Sequence, residues 1–202
     1  MKTHFPNFIR HLSILALTTL IVSLTSCSSS SEIPLETNYY LLNSEYKAIK
    51  SLNIKKTVTV EVLELPAYLH QPHLVMQLNT HQLHYARFDM WAEPLQTGFT
   101  KALISELNKN NKNIQFVTSE FKPNDNNLDK LVIRVDYFHP STESKVILSG
   151  VFWRENNEEE YKAQQPFYFE SLLNDDGYTH AVFQMRQLVS LMSATVLDTN
   201  YH

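Results

Sequence analysis

Cysteine is nearly missing from this chain. Cys27 is the only one, which excludes an internal disulfide and any zinc or redox site built on paired thiols. Glycine is scarce as well, with three in 202 residues, so a Gly-rich phosphate loop and a fold made of many tight turns are both excluded. No long apolar run follows Cys27. The one that precedes it, Leu12 to Leu24, is shorter than the about 20 residues that a stable bilayer-crossing helix needs. There is no Gly-x-Ser-x-Gly elbow and no His-Glu-x-x-His pair, so the common hydrolase and zinc-protease constellations fail at their required residue types. Basic residues are outnumbered 17 to 21 by acidic ones, which gives the chain no electrostatic reason to bind nucleic acid.

What is present begins at the amino terminus. Met1 to His11 carries Lys2 and Arg10 without an acid, Leu12 to Leu24 is apolar or small, and small residues lead into Cys27. This is the layout of a secretory signal over residues 1–26. The run Leu24-Thr25-Ser26-Cys27 resembles the bacterial lipobox. That resemblance implies a diacylglycerol on the Cys27 thiol, cleavage before it and acylation of the new amine, with palmitate-type chains. Each buried methylene contributes about 0.8 kcal/mol, so two or more chains hold a protein at a bilayer. In the lipoproteins that this run resembles, Ser rather than Asp after the cysteine, as at Ser28, implies the outer membrane, with the body facing the periplasm. Residues 27–37, rich in serine, read as a flexible tether. Loss of Lys2 and Arg10 lowers the basic count from 17 to 15 against 21 acids, a balance near −6. Residues 38–202 are enough for one domain with its own core.

Periodicity along that domain alternates between two and three-to-four. Asn38 to Asn43 reads as a short strand, and Thr57 to Leu65 as a half-buried one with Val58, Val60 and Val62 on one face, ended by Pro66. Leu74 to Leu78 and Gln82 to Ala86 predict a hairpin turning at Asn79-Thr80-His81. Trp91, Leu95, Phe99, Ala102, Leu103 and Leu107 predict an amphipathic helix to about Asn108, with Asp89 as its cap and Pro94 in its first turn. The Asn-rich stretch Asn108 to Asn113 stops it.

Four more strands and a helix follow. Ile114 to Ser119 is short; Leu131, Ile133, Val135 and Tyr137 share one face of the next strand; Val146, Leu148, Gly150 and Phe152 share one face of the third. In the last strand, Tyr161, Ala163, Phe167 and Phe169 do the same. The last three predict an antiparallel meander with turns at Pro140 to Ser144 and Asn156 to Glu160. Tyr178, Ala181, Val182, Met185, Leu188, Val189, Met192 and Val196 form the stripe of a helix from about Asp176 to Leu197. The expected fold is α+β: a two-layer sandwich, mainly antiparallel sheet, with two amphipathic helices packed on one face.

No catalytic constellation emerges, and no cofactor is implied beyond acyl chains on Cys27. His70, His73, His81 and His84 lie close in sequence, but in a loop and a hairpin their spacing does not put ring nitrogens on one face. They read as surface histidines. Glu158, Glu159 and Glu160 read as a solvated hairpin tip. The abundant aromatics are mostly explained by the alternation as core.

One stretch is more specific. Leu65-Pro66-Ala67-Tyr68-Leu69, followed by the hairpin and then Trp91-Ala92-Glu93-Pro94-Leu95, resembles the auxiliary lipoproteins of ABC-type transport systems, the family that includes the membrane-integrity-associated, paraquat-inducible protein C subunit. Tyr39-Tyr40-Leu41-Leu42 resembles that family's first strand, and Met90 stands where its pattern has Arg. The resemblance implies an outer-membrane lipoprotein that docks a mammalian-cell-entry-domain bridging subunit of a periplasm-spanning lipid transporter, with no bond made or broken. Tyr68 and Leu69, with His81 on the hairpin and Trp91 at the helix start, are the expected partner contacts. Self-association is left open, as are two other readings: a lipid carrier, and an assembly lipoprotein of another envelope complex.

Overall fold

The computed structural model describes residues 36–43, 54–120, 129–156 and 163–201. The expected signal peptide, Cys27, nearly all of the tether, Tyr161 and the Glu158–Glu160 tip lie outside the described residues. In chain order the elements are β1 (Asn38–Tyr40), β2 (Lys56–Glu64), a 3-10 turn (Ala67–Leu69), β3 (His73–Asn79), β4 (Gln82–Trp91), α1 (Leu95–Asn110), β5 (Ile114–Thr118), β6 (Asp129–Ser141), β7 (Lys145–Glu155), β8 (Gln165–Leu172) and α2 (Tyr178–Asn200). Eight strands make one sheet, and both helices lie on the same face of it. α1 covers β2 and β5, α2 covers β6, β7 and β8, and the two helices touch each other. This is the expected α+β two-layer arrangement.

β6 organises the sheet. One of its edges pairs antiparallel with β7 along nearly its whole length, and β7 pairs antiparallel with β8, as the meander requires. The other edge takes β2 first, from Val58 opposite Asp129, and then β3, at Gln77 opposite Ser141. Those two pairings are parallel, as are β2 with β5 and β1 with β4. The antiparallel ladders are the long ones; α1 carries the chain back to the end of the sheet where β2 begins, so β5 pairs parallel with β2.

The helices form for the reasons their spacing gives. Leu95, Phe99, Ala102, Leu103 and Leu107 are all buried, as are Ala181, Val182, Met185, Leu188, Val189, Met192 and Val196. Phe99 meets Phe138 of β6 edge to face at 5.3 Å between ring centres. Asparagine ends α1 by chemistry rather than by default. Asn108 Nδ2 donates to the Phe116 carbonyl at 2.9 Å while its Oδ1 accepts from the Phe116 amide at 2.8 Å, so the helix end is bonded onto β5. Between the helices lies buried Glu106. It accepts from Arg186 of α2 at 2.7 Å and from the Ser190 hydroxyl at 3.0 Å. Burial pushes its carboxyl up, but Arg186, with Ser190 and Lys109, outweighs it and holds the group below the ordinary carboxylate value.

Several expectations are corrected. Asp89 does not cap α1. It sits in β4, accepting from the Tyr40 hydroxyl at 2.8 Å and Asn38 Nδ2 at 3.1 Å, because β4 continues through Trp91 to pair with β1. Trp91 and Glu93 therefore precede the helix, and Pro94 is its N-cap residue. β1 is shorter than expected, ending at Tyr40. β6 is longer, running through Pro140 to Ser141, so the turn is confined to residues 142–144. Tyr137 is on the wrong face for its predicted partners. The β6/β7 register slips between Val135 and Tyr137, leaving Asp136 unopposed. That bulge turns Tyr137 away from the helices and brings Phe138 into the core in its place.

Candidate partner-docking surface

The bulge in β6 builds the most distinctive surface of the molecule. Before it, Leu131, Ile133 and Val135 face the helices; after it, Phe138 does, and Tyr137 and His139 point to the face that neither α1 nor α2 covers. Gly150 makes room for the slip. A Cβ at that position would lie 2.1 Å from the Arg134 carbonyl oxygen and 3.0 Å from the Phe167 ring, so only glycine fits opposite the bulge.

Tyr68 reaches this place from the other side. Pro66 ends β2, and the amides of Leu69 and His70 bond back to the carbonyls of Pro66 and Ala67 at 2.8 and 3.1 Å, closing a 3-10 turn. In that tight turn adjacent side chains diverge. Leu69, 3% exposed, anchors in the core. Tyr68 stays half-buried on the side away from α1 and α2, with its hydroxyl donating to the Asp136 carbonyl over a long 3.4 Å. His139, only 1% exposed, stands between two phenols, meeting Tyr68 edge-on at 5.7 Å and Tyr137 at 5.8 Å. Burial pushes the Tyr68 hydroxyl well above the ordinary tyrosine value, with Tyr137, Tyr85 and Asp136 adding to it. Burial likewise pulls His139 below 6.5, and its bond to the Pro140 carbonyl only partly opposes that.

The strand registers extend the cluster into rows. Tyr137 lies opposite Ser149, and Ser149 opposite Tyr168; His139 lies opposite Ile147, and Ile147 opposite Glu170. Tyr137 and Tyr168 are 48% and 58% exposed. Tyr168 donates to Glu170 at 2.8 Å, and Lys145 bridges Glu170 and Glu143 at 3.5 and 2.9 Å. A face of rigid, amphipathic phenols flanked by small and charged side chains gives contact area at low entropic cost. Among the described residues no three His, Cys, Asp or Glu side chains gather to hold a metal ion.

The expected contact residues are therefore dispersed. Tyr68 is on this surface. Leu69 is not exposed, and Trp91, 7% exposed, is buried at the end of β4 with its amide bonded to the Pro72 carbonyl. Both are drawn inward because their backbones close the β2–β4 junction. His81 is exposed at the hairpin tip, where its amide bonds to Asn79 Oδ1, apart from the rings. His70 and His73 each donate a ring N–H to a backbone carbonyl, of Leu65 and Ala86. Tyr85, Tyr137 and His139 escaped sequence reasoning. The signal was there in Asp136-Tyr137-Phe138-His139-Pro140, where neighbouring large rings break a strict alternation, as they must at a bulge.

Elsewhere a half-open cavity of about 420 Å³ lies between the end of β6 and the start of α2, lined by Met76, Pro140, Leu173, Tyr178 and Ala181 with Asp175 and Asp176 at its rim.

The profile of the family described as ABC-type transport auxiliary lipoprotein component matches residues 40–196. This chain belongs to that family. The match spans β1 to the last turns of α2, so the whole described fold is the family's domain and its role is that of a transport auxiliary component. Among solved structures, the family fold recurs in an uncharacterized protein at 23% identity and a TM-score of 0.70, over 81% of this chain and 97% of that one. Protein XCC0632 from Xanthomonas campestris, of family DUF330, is similar at 11% identity and a TM-score of 0.58, over 80% and 87%. No curated protein matches the chain. Among the described residues of this family member, no helix is long and apolar enough to cross a membrane.

Proposed function

We propose that this protein is a non-catalytic docking subunit, held at the outer membrane by acyl chains on Cys27 and facing the periplasm, that receives the mammalian-cell-entry-domain bridge of a lipid transporter. The observation that carries the reading is the exposed tyrosine face beside the bulge, on a member of a transport-auxiliary family. Tyrosines displayed on a rigid sheet favour protein contact. An anchor at Cys27 would confine the domain to a thin layer and raise its effective concentration near the bridge, so a weak contact would suffice.

The test is capture of the transporter from solubilised envelope by the full chain. Tyr137→Ala combined with Tyr168→Ala should lower recovery at least tenfold while leaving the fold intact. Unchanged recovery would remove this face from the reading. Cys27→Ala with a cleavable signal should release a folded, poorly functioning protein into the periplasm, and full envelope function at native expression would dismiss the anchor.

One observation favours a second reading, a lipid carrier. The 420 Å³ cavity is mainly apolar and falls at the low end of the range of about 300–1,000 Å³ for ligand sites. Native mass spectrometry should find copurified lipid if that reading is right, and repeated absence counts against it.

A further inference from the structure

His139 occupies a position that neither membership of a transport family nor docking requires. The ring is buried on the sheet face that neither α1 nor α2 covers, and its one hydrogen bond is to a backbone carbonyl: Nδ1–H donates to Pro140 at 3.1 Å. Against it stand Tyr68 of the 3-10 turn and Tyr137 of β6, and Tyr85 of β4 and Asp136 of β6 lie near Tyr68. β7 places uncharged Ile147 opposite, with Glu170 of β8 one strand further and Lys145 one rung away. The nearby charges are already matched. Asp136 pairs with Arg134 at 3.2 Å, and Glu170 with Lys145. A proton added to His139 would go to Nε2, the nitrogen that the Pro140 carbonyl does not hold, among aromatic rings and with no carboxylate free to balance it. The cheapest relief is water, and the cage has one weak wall. Tyr68 has one long 3.4 Å hydrogen bond to β6, its ring contact with His139 and partial packing against the core, whereas Leu69 beside it is fully locked in the core.

We propose that His139 is a proton-operated latch: when its ring is protonated, the Tyr68 side chain swings off β6 and the docking face loses its shape. This deepens the docking reading and rests on it for its biological consequence, though the latch motion itself does not. Attraction of a cation to two phenol rings is smaller than the hydration such a cation gives up on burial. The displaced histidine value points the same way, placing the transition below 6.5.

The experiment follows ¹³C-labelled histidine and tyrosine rings of the full chain by NMR from pH 7.5 to 5. The latch requires His139 and Tyr68 signals to move with one shared midpoint below 6.5 while Tyr168 stays still, and the Tyr68 movement to vanish in His139→Gln. A His139 titration without movement of Tyr68, or movement that persists in His139→Gln, overturns it. Should His139→Gln fail to fold, Tyr68→Phe decides: loss of the hydroxyl weakens the wall, so the His139 midpoint must rise, and an unchanged midpoint overturns the latch. Capture of the transporter should fall about tenfold between pH 7.5 and 5.5. The tyrosine double variant at pH 7.5 reports on docking alone, so failure of the docking reading is separable from failure of the latch.

Discussion

The two faces of this sheet are made from the same strands and obey different rules. On the covered face, Val60, Ile133, Leu148 and Phe152 are sealed under α1 and α2, and the rings of Phe99 and Phe138 interlock. On the open face, Lys130 pairs with Glu61 at 2.8 Å, Trp153 donates to Glu155 at 2.9 Å, and tyrosines stand in solvent. Stability resides on the first face because burial there is nearly complete. The second face is free to serve recognition, since exposed side chains contribute little to folding.

Phe138 and Tyr137 are adjacent in the chain and sharpen this contrast most. Phe138→Ala should cost about 4 kcal/mol in urea or thermal unfolding, whereas Tyr137→Ala should cost under about 1 kcal/mol and act on capture of the partner instead. Equal losses would mean that the bulge does not separate the faces. Next in size is Arg186→Met, which leaves Glu106 buried without its main partner and should cost about 3 kcal/mol at neutral pH. Gly150→Ala forces a methyl into the Arg134 carbonyl and should cost about 2–3 kcal/mol, while Ser149→Ala, one residue away on the open face, should stay within about 0.5 kcal/mol.

The last effect is a dependence on pH. The His139 value is depressed by burial, so its contribution is full above 6.5 and is lost as pH falls through the lower folded value, at no more than about 1.4 kcal/mol per pH unit. Glu106 is also depressed, from 4.5, so its contribution is lost only in a more acidic window. Unfolding measured from pH 7 to 5 should therefore show a decline that His139→Gln removes and Glu106→Gln does not.

Much of the covered face could be read from periodicity. Spacings of three and four placed both helix stripes, and alternation placed Val58, Val60 and Val62 inside, because burial selects residue type directly. The open face was harder to read. Tyr137 followed Val135 at the correct interval for the core, and only the slip opposite Gly150 reversed it. Asp89 looked like a helix cap because aspartate favours caps, but pairing of β4 with β1 claimed that residue first. Tyr68 could be singled out by its motif, whereas its neighbours Tyr85 and His139 come from strands distant in sequence.

By itself the sequence determined which residues must be inside and where the chain must turn, since hydrophobic burial and backbone geometry act on neighbours a few positions apart. Tertiary structure alone decided the strand order, the parallel pairings and the aromatic cage. Those depend on which distant edges meet and on a single unopposed residue in β6, and a local pattern carries no record of either.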